Sequence, residues 1–397
     1  MSKHTLNSLA ALAAAAATLP VQAESAPTEQ VMAYRFSQYQ EADAPRERTF
    51  TPITERYSID IHQFRYGRPL GDDWYLNSEF QYETLSGASP MQTYRTTEGK
   101  SLMLMSGASG TINETRYDLK IAPKRYFSGA LNGQLDGTLG TSLALSQEND
   151  YQSVALGADG SLELFNKHTT LLGSVSMSLD ELSPTDTDSY ATRKPADGRG
   201  KRSVSIYEGV SQVIDKNRVV QVGIGYTQLS GYLSDPYKLE DRRPDRRGQL
   251  TFSGQYRHFF PLWDGAALHG DYRYYSDDWG IRSHTLTARW AQSVSLAPFS
   301  FRFIPMMRYY RQTQADFYSL EQNPPDDQLN SSDARLSSYG AFSYGLESRI
   351  LYQQWTLSID WQQYLSSEDF ALVQTTNNET PALVDYSILS LGIEYRY

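Results

Sequence analysis

The sequence predicts an all-β fold: a transmembrane antiparallel β-barrel of about sixteen strands, give or take two. Three observations point there. Period-two segments recur along the chain, the connections between them alternate in length, and the chain finishes on "SLGIEYRY", Ser390 to Tyr397, with no polar tail. In a strand, successive side chains face opposite ways, so Leu389, Leu391, Ile393, Tyr395 and Tyr397 share one face while Ser390, Gly392, Glu394 and Arg396 share the other. A strand written to the final residue needs a neighbour on each side.

The first element is an export signal. "MSKHTLNSLAALAAAAATLPVQAE" has a cationic start at Lys3, an apolar run from Leu9 to Leu19 and small residues at Val21 and Ala23. These features predict a secretory signal peptide over residues 1–23, leaving 24–397 as the barrel. The run is about half the ~20 residues that a membrane-spanning helix requires.

Strands follow in order. Trp74, Leu76, Phe80 and Tyr82 alternate with Asn77, Glu79, Gln81 and Glu83; Val220, Val222, Ile224 and Tyr226 alternate with Gln221, Gly223, Gly225 and Thr227. About sixteen such segments centre near residues 35, 61, 80, 120, 140, 158, 175, 207, 223, 253, 271, 286, 304, 344, 359 and 391. The segments around Tyr34 and Pro123 alternate poorly, and Pro305 interrupts an otherwise aromatic strand, since proline cannot donate to the ladder.

The connections "PLGDD", "SGALNG", "NKH", "IDKN", "PLWDG", "SLAP" and "LYQQ" are short. Those between them are mostly long, over roughly 87–112, 180–200, 229–247, 313–335 and 365–383, with "ENDY" and "DDWG" as brief exceptions. Short periplasmic turns opposite longer extracellular loops would put both termini in the periplasm. Within hydrocarbon an unpaired backbone amide or carbonyl costs several kcal/mol, so the sheet must close and the last strand becomes the seam. Gly392, Tyr395 and Tyr397 also match the terminal pattern by which the barrel assembly machinery recognises outer-membrane barrels.

Composition narrows the class. The 29 tyrosines suit aromatic girdles at two interfaces, and the absence of cysteine excludes disulfides and thiolate-bound metals. Net charge is −10; removing Lys3 with the signal leaves 35 basic against 46 acidic residues, which disfavours nucleic acid as a partner. Outer-membrane lipid and lipopolysaccharide are the expected surroundings. A propeller repeat of about 40–50 residues is not found.

Several strings are more specific than alternation: "SGASPM" (Ser86 to Met91), "SGASG" (Ser106 to Gly110), "GYLSDPYKLEDRRPDRR" (Gly231 to Arg247) and "YRYYSDDWGIRSHTL" (Tyr272 to Leu286). Together they resemble a bacterial family catalogued as domain of unknown function 3570, over nearly the whole mature chain. The resemblance implies an outer-membrane location and a barrel, and brings no established activity. Members of that family are encoded beside small lipoproteins and flavin-attachment enzymes, so the resemblance hints at envelope redox systems and at a periplasmic or lipoprotein partner.

No catalytic site, cofactor or metal is expected. Ser283 and His284 are adjacent in a strand, so their side chains point to opposite faces and form no dyad. Asp72 and Asp73 lie at one rim and Asp277 and Asp278 at the other, so the two pairs form no joint site; turn formation beside Trp74 and Trp279 accounts for both, with calcium at Asp277 and Asp278 as the sharper alternative. Arg242, Arg243, Arg246 and Arg247 stand among Asp235, Glu240, Asp241 and Asp245, either self-paired or gripping lipopolysaccharide phosphates or a partner's carboxylates.

The interior is the place for function. Candidate lumen-lining residues are Glu79, Glu83, Arg116, Asp118, Lys120, His269, Asp271, Arg273, Arg302, Arg308, Glu347, Arg349 and Asp360. Such a barrel is wide enough for an aqueous channel unless loops fill it, and charged rings would set solute preference. The competing reading is that opposite charges pair across neighbouring strands and stiffen a barrel that houses or docks an envelope partner.

Overall fold

The computed structural model describes residues 26–106, 114–129, 135–185, 187–188, 190–373 and 379–397. The expected signal peptide, most of the "SGALNG" turn and all but Ser106 of "SGASG" lie outside the described residues.

Sixteen strands form one closed antiparallel barrel. They are β1 (Val31–Glu41), β2 (Ser58–Leu70), β3 (Trp74–Ser86), β6 (Glu114–Gly129), β7 (Leu135–Gln147), β8 (Tyr151–Leu164), β9 (Thr169–Leu182), β10 (Arg199–Asp215), β11 (Arg218–Gly231), β12 (Arg246–Phe260), β13 (Ala266–Asp277), β14 (Arg282–Leu296), β15 (Phe299–Gln312), β16 (Tyr339–Tyr352), β17 (Trp355–Ser367) and β18 (Tyr386–Arg396). Two short strands, β4 (Pro90–Arg95) and β5 (Ser101–Met105), form a separate hairpin in the connection after β3. Each segment centre expected from the alternation falls within one wall strand. No helix among the described residues is long and apolar enough to cross a membrane. Wall strands of 11 to 17 residues exceed the about 9–11 that a tilted spanning strand needs.

The seam is built as the terminal segment requires. β1 pairs with β18 from Val31↔Arg396 to Glu41↔Tyr386, and the buried hydroxyls of Ser37 and Ser390 meet across it at 2.8 Å. Gln30 and Tyr397 exchange backbone hydrogen bonds of 2.8 and 3.0 Å, so the first and last strands of the wall begin and end at the same side as the short turns.

Alternation sorts the side chains. Val222, Ile224, Leu357, Ile359, Leu389 and Leu391 are exposed on the outer face, where a hydrocarbon environment would cover them. The inner face of β11 carries Gly223 because the Tyr207 ring of β10 lies across it: a Cβ there would meet ring carbons at 2.5 and 2.8 Å, whereas at Gly225 the ring is an ordinary 3.5 Å away. Prolines weaken pairing on one side only. Pro123 pairs with Leu76 on β3 but falls in a register gap toward β7, and Pro305 pairs with Leu346 on β16 but falls in a gap toward β14.

At the other end, six long connections and two brief ones, 148–150 and 278–281, leave the wall. The connection 42–57 is longer than the alternation indicated, because the poorly alternating β1 hid where that strand stops. The connection expected as loop over 87–112 contains the β4–β5 hairpin. Apolar side chains from separate connections pack together here: Ala44, Ala88, Met103, Met105 and Ala382 form one buried cluster, and Trp279, Ile281, Ala315, Tyr318 and Leu336 a second. Lys238 Nζ donates to Pro90 O at 2.8 Å, and Leu239 N to Met91 O at 2.9 Å. Strands β7 to β10 separate those two connections around the wall, so these bonds span the mouth.

Candidate functional site

A cavity of about 1530 Å³ occupies the barrel interior. It reaches from Glu29, Gln353, Gln354 and Arg396 at the turn end to Tyr151, Asp180, Lys201 and Gln249 near the loop end. Of the expected lumen residues, Glu79, Arg116, Asp118, Lys120, Arg302, Glu347 and Arg349 border it. Glu83 stands 3.7 Å from Arg116, and Asp360 receives Arg35 at 2.9 Å. On β13, Asp271 takes Arg257 at 2.7 Å and Arg289 at 3.3 Å, with His269 in the field of all three. Arg273 and Arg308 lie beyond the cavity's edge on the β13–β15 wall, among tyrosines.

Several charged groups of the interior were not singled out from the sequence. Arg35, Arg65, Lys124, Asp159, Asp180, Lys201 and Glu394 all border the same cavity. Lys124 pairs with Asp159 at 2.9 Å, Lys201 with Asp180 at 3.1 Å and Arg65 with Glu394 at 2.5 Å. Counting residue parity outward from the apolar face of each strand would have found them. The lumen wall therefore carries opposite charges in pairs, a polar surface without one dominant sign over most of its circumference.

The loop arginines are largely committed to the protein itself. Arg243 donates to Asp241 and Asp333, at 2.9 Å to each, and all three side chains are buried. Arg335 joins them through Asp333 and Asp235. Burial alone would push the Asp333 carboxyl up, but Arg335, Lys238 and Arg243 outweigh it and hold Asp333 well below the usual carboxylate range. Arg242 reaches Glu240 at 2.7 Å and the carbonyls of Pro324, Pro325 and Gln328. Arg247 binds Asp277 at 2.6 Å and lies over the Trp279 ring at 4.2 Å. Arg246 alone of the four is exposed, and its carbonyl accepts Trp279 Nε1 at 2.8 Å.

Asp277 and Asp278 act as turn formers. Asp277 accepts from Tyr275 Oη, Trp279 N, Ile281 N and Arg247, which fills its acceptor capacity, while Asp278 accepts Gly248 N at 2.8 Å. Ser283 is buried and His284 turns outward to the Tyr272 hydroxyl at 2.8 Å, so no dyad forms. Glu114, Glu148 and Asp150 bring carboxylate oxygens within 4.8 Å of one another. Arg116 at 3.7 Å from Glu148 and the Tyr237 hydroxyl on Asp150 supply that group with positive charge and a donor. At the terminal pattern, Tyr395 packs between Trp355 and Tyr397 with ring centroids 4.5 and 5.4 Å away, and Gly392 borders the lumen beside Ser358.

A closed sixteen-strand barrel with an apolar outer belt, a charged interior and capping loops is an outer-membrane-type β-barrel. One solved structure, a bacterial polysaccharide outer membrane secretin, matches with a TM-score of 0.51 at 10% identity, covering 92% of this chain and 98% of its own. CdiB from Acinetobacter baumannii (TM-score 0.48, 9% identity, 94% and 60% covered) and the COG4313 outer membrane channel from Pseudomonas putida F1 (TM-score 0.37, 13% identity, 74% and 99% covered) also match, more remotely. The chain belongs to the family described as Protein of unknown function (DUF3570), whose model matches residues 5–378. No curated protein matches it.

Proposed function

We propose that the protein is a porin-like outer-membrane channel for small polar solutes or ions, with both termini and the short turns in the periplasm and the interlocked loops outside. One observation carries this reading: the charged cavity runs continuously from the turn end toward the loop end of the barrel. Paired charges of both signs along a water-filled path favour hydrated solutes over apolar ones. Purified protein in planar bilayers should give stepwise conductance, and removing the β4–β5 hairpin from the mouth should raise the unit conductance at least twofold. Silent bilayers from both folded proteins would remove the channel reading.

The second reading is a non-conducting scaffold that docks a periplasmic or lipoprotein partner of the envelope. It is favoured by the loop cap, whose two buried apolar clusters give the outer mouth a core of its own. It expects a partner to co-purify after gentle detergent extraction, together with bilayers that stay silent.

A further inference from the structure

An ionised side chain held away from bulk water is costly unless a counter-charge meets it. The inward cations of this barrel mostly obey: Arg35, Arg65, Lys124 and Lys201 each have a carboxylate, and Arg257 and Arg289 share Asp271. Four depart from the pattern among the described residues: Lys120 and Arg302, which border the open cavity, and Arg273 and Arg308, which lie beyond its edge. Arg273 on β13 and Arg308 on β15 lie within electrostatic reach of each other across β14, and among the described residues neither guanidinium makes an ion pair or a side-chain hydrogen bond. Arg308 Nε is a buried donor without a partner.

Their surroundings are phenolic. Tyr275 and Tyr310 act on Arg273; Arg308 acts on Tyr310, Tyr364 and Tyr386. Register explains the grouping, since Arg308↔Ser343, Ser343↔Tyr364 and Tyr364↔Tyr386 form one row across β15, β16, β17 and β18. Glu41, the register partner of Tyr386 on β1, accepts the Tyr39 hydroxyl at 2.8 Å. Both arginines retain partial solvent access. Like charges thus stand together beside hydroxyl donors and acceptors, with no carboxylate among the described residues pairing with them.

We propose that Arg273 and Arg308 form an anion-binding site inside the barrel for a small soluble solute bearing a carboxylate or phosphate group. Two guanidinium forks match the oxygens of such groups, and tyrosine hydroxyls complete the coordination. Bound anion cancels the repulsion between the arginines, which is the physical reason for affinity. Lipid headgroups are excluded as the source, because the site is on the inner face of the wall. Binding does not require passage through the barrel, so the site stands or falls apart from the channel reading.

The test is calorimetric titration of the refolded barrel in zwitterionic detergent at low ionic strength, with inorganic phosphate and with succinate as probes. Saturable binding of at least one probe is expected. Arg273→Gln and Arg308→Gln should each weaken it at least tenfold, while Lys216→Gln, which removes an exposed turn cation, should leave it unchanged. Arg308→Lys should fall between wild type and Arg308→Gln, because charge remains and the fork is lost. The same anion should raise the thermal midpoint of the wild type and not that of the double glutamine variant. No saturable binding by folded wild-type protein, or an equal loss in Lys216→Gln, overturns the proposal. Saturable binding beside silent bilayers would remove the channel reading and leave this site in place.

Discussion

Ile224 and Gly225 are neighbours in β11 that meet different surroundings. Ile224 is 43% exposed on the outer face, whereas Gly225 looks inward with the Tyr207 ring at 3.5 Å from where its Cβ would stand. Ile224→Arg should therefore cost about 2–4 kcal/mol at mid-depth in lipid, while Gly225→Arg should cost far less because its side chain extends into the wet lumen. Refolding yields in lipid vesicles measure this, and equal tolerance of both changes would refute the assignment of faces. At this scale the sequence was informative wherever one face is consistently apolar. It was less so where charges sit singly among small residues: Asp159 and Asp180 bind Lys124 and Lys201 across strands, and alternation alone does not supply that pairing. The isolation of Arg273 and Arg308 was not legible at all, because it depends on register across β13, β14 and β15 rather than on local spacing.

Individual strands could be read because each has a period and a turn, whereas the loops had neither. Three of the four strings that carry the family resemblance prove to touch one another: Pro90 and Met91 receive Lys238 and Leu239, and Asp277 with Trp279 holds Arg247 and the Arg246 carbonyl. Their distinctive residues are those that lock one loop to the next. Acid should test that lock. For both Asp333 and Asp235, burial pushes the carboxyl up, but Arg335, Lys238 and Arg243 together hold it below the ordinary value. An acid depressed in the folded state contributes stability above its unfolded pKa of about 3.9 and loses it as pH falls through the folded value. Asp241 runs the other way, since burial raises it and protonation relieves part of that cost. The loops at 231–247 and 330–338 should thus keep their hydrogen-exchange protection at pH 5 and lose it only well below pH 4, with strand amides as the internal reference. Loss of loop protection at pH 5 would show that these ion pairs do not hold the loops together.

For the molecule as a whole, the requirement is that no strand edge be left open to hydrocarbon. Removing residues 386–397 would strip β1 and β17 of the strand that both pair with, along with the Ser37–Ser390 bond. That truncation should abolish the heat-modifiable barrel band on electrophoresis rather than yield a smaller barrel, because Arg35 and Asp360 are placed to pair across three strands and not two. Where the ring is cut should matter much less than whether it is whole. Gln30 and Tyr397 already exchange two hydrogen bonds, so a short linker between them and new termini in the exposed turn 261–265 preserve every wall pairing. This circular permutant should refold in detergent to a heat-modifiable barrel with wild-type strand content by circular dichroism. A truncated chain that still folds, or a permutant that does not, would mean that the connectivity of the chain, and not the completeness of the ring, stabilises the fold.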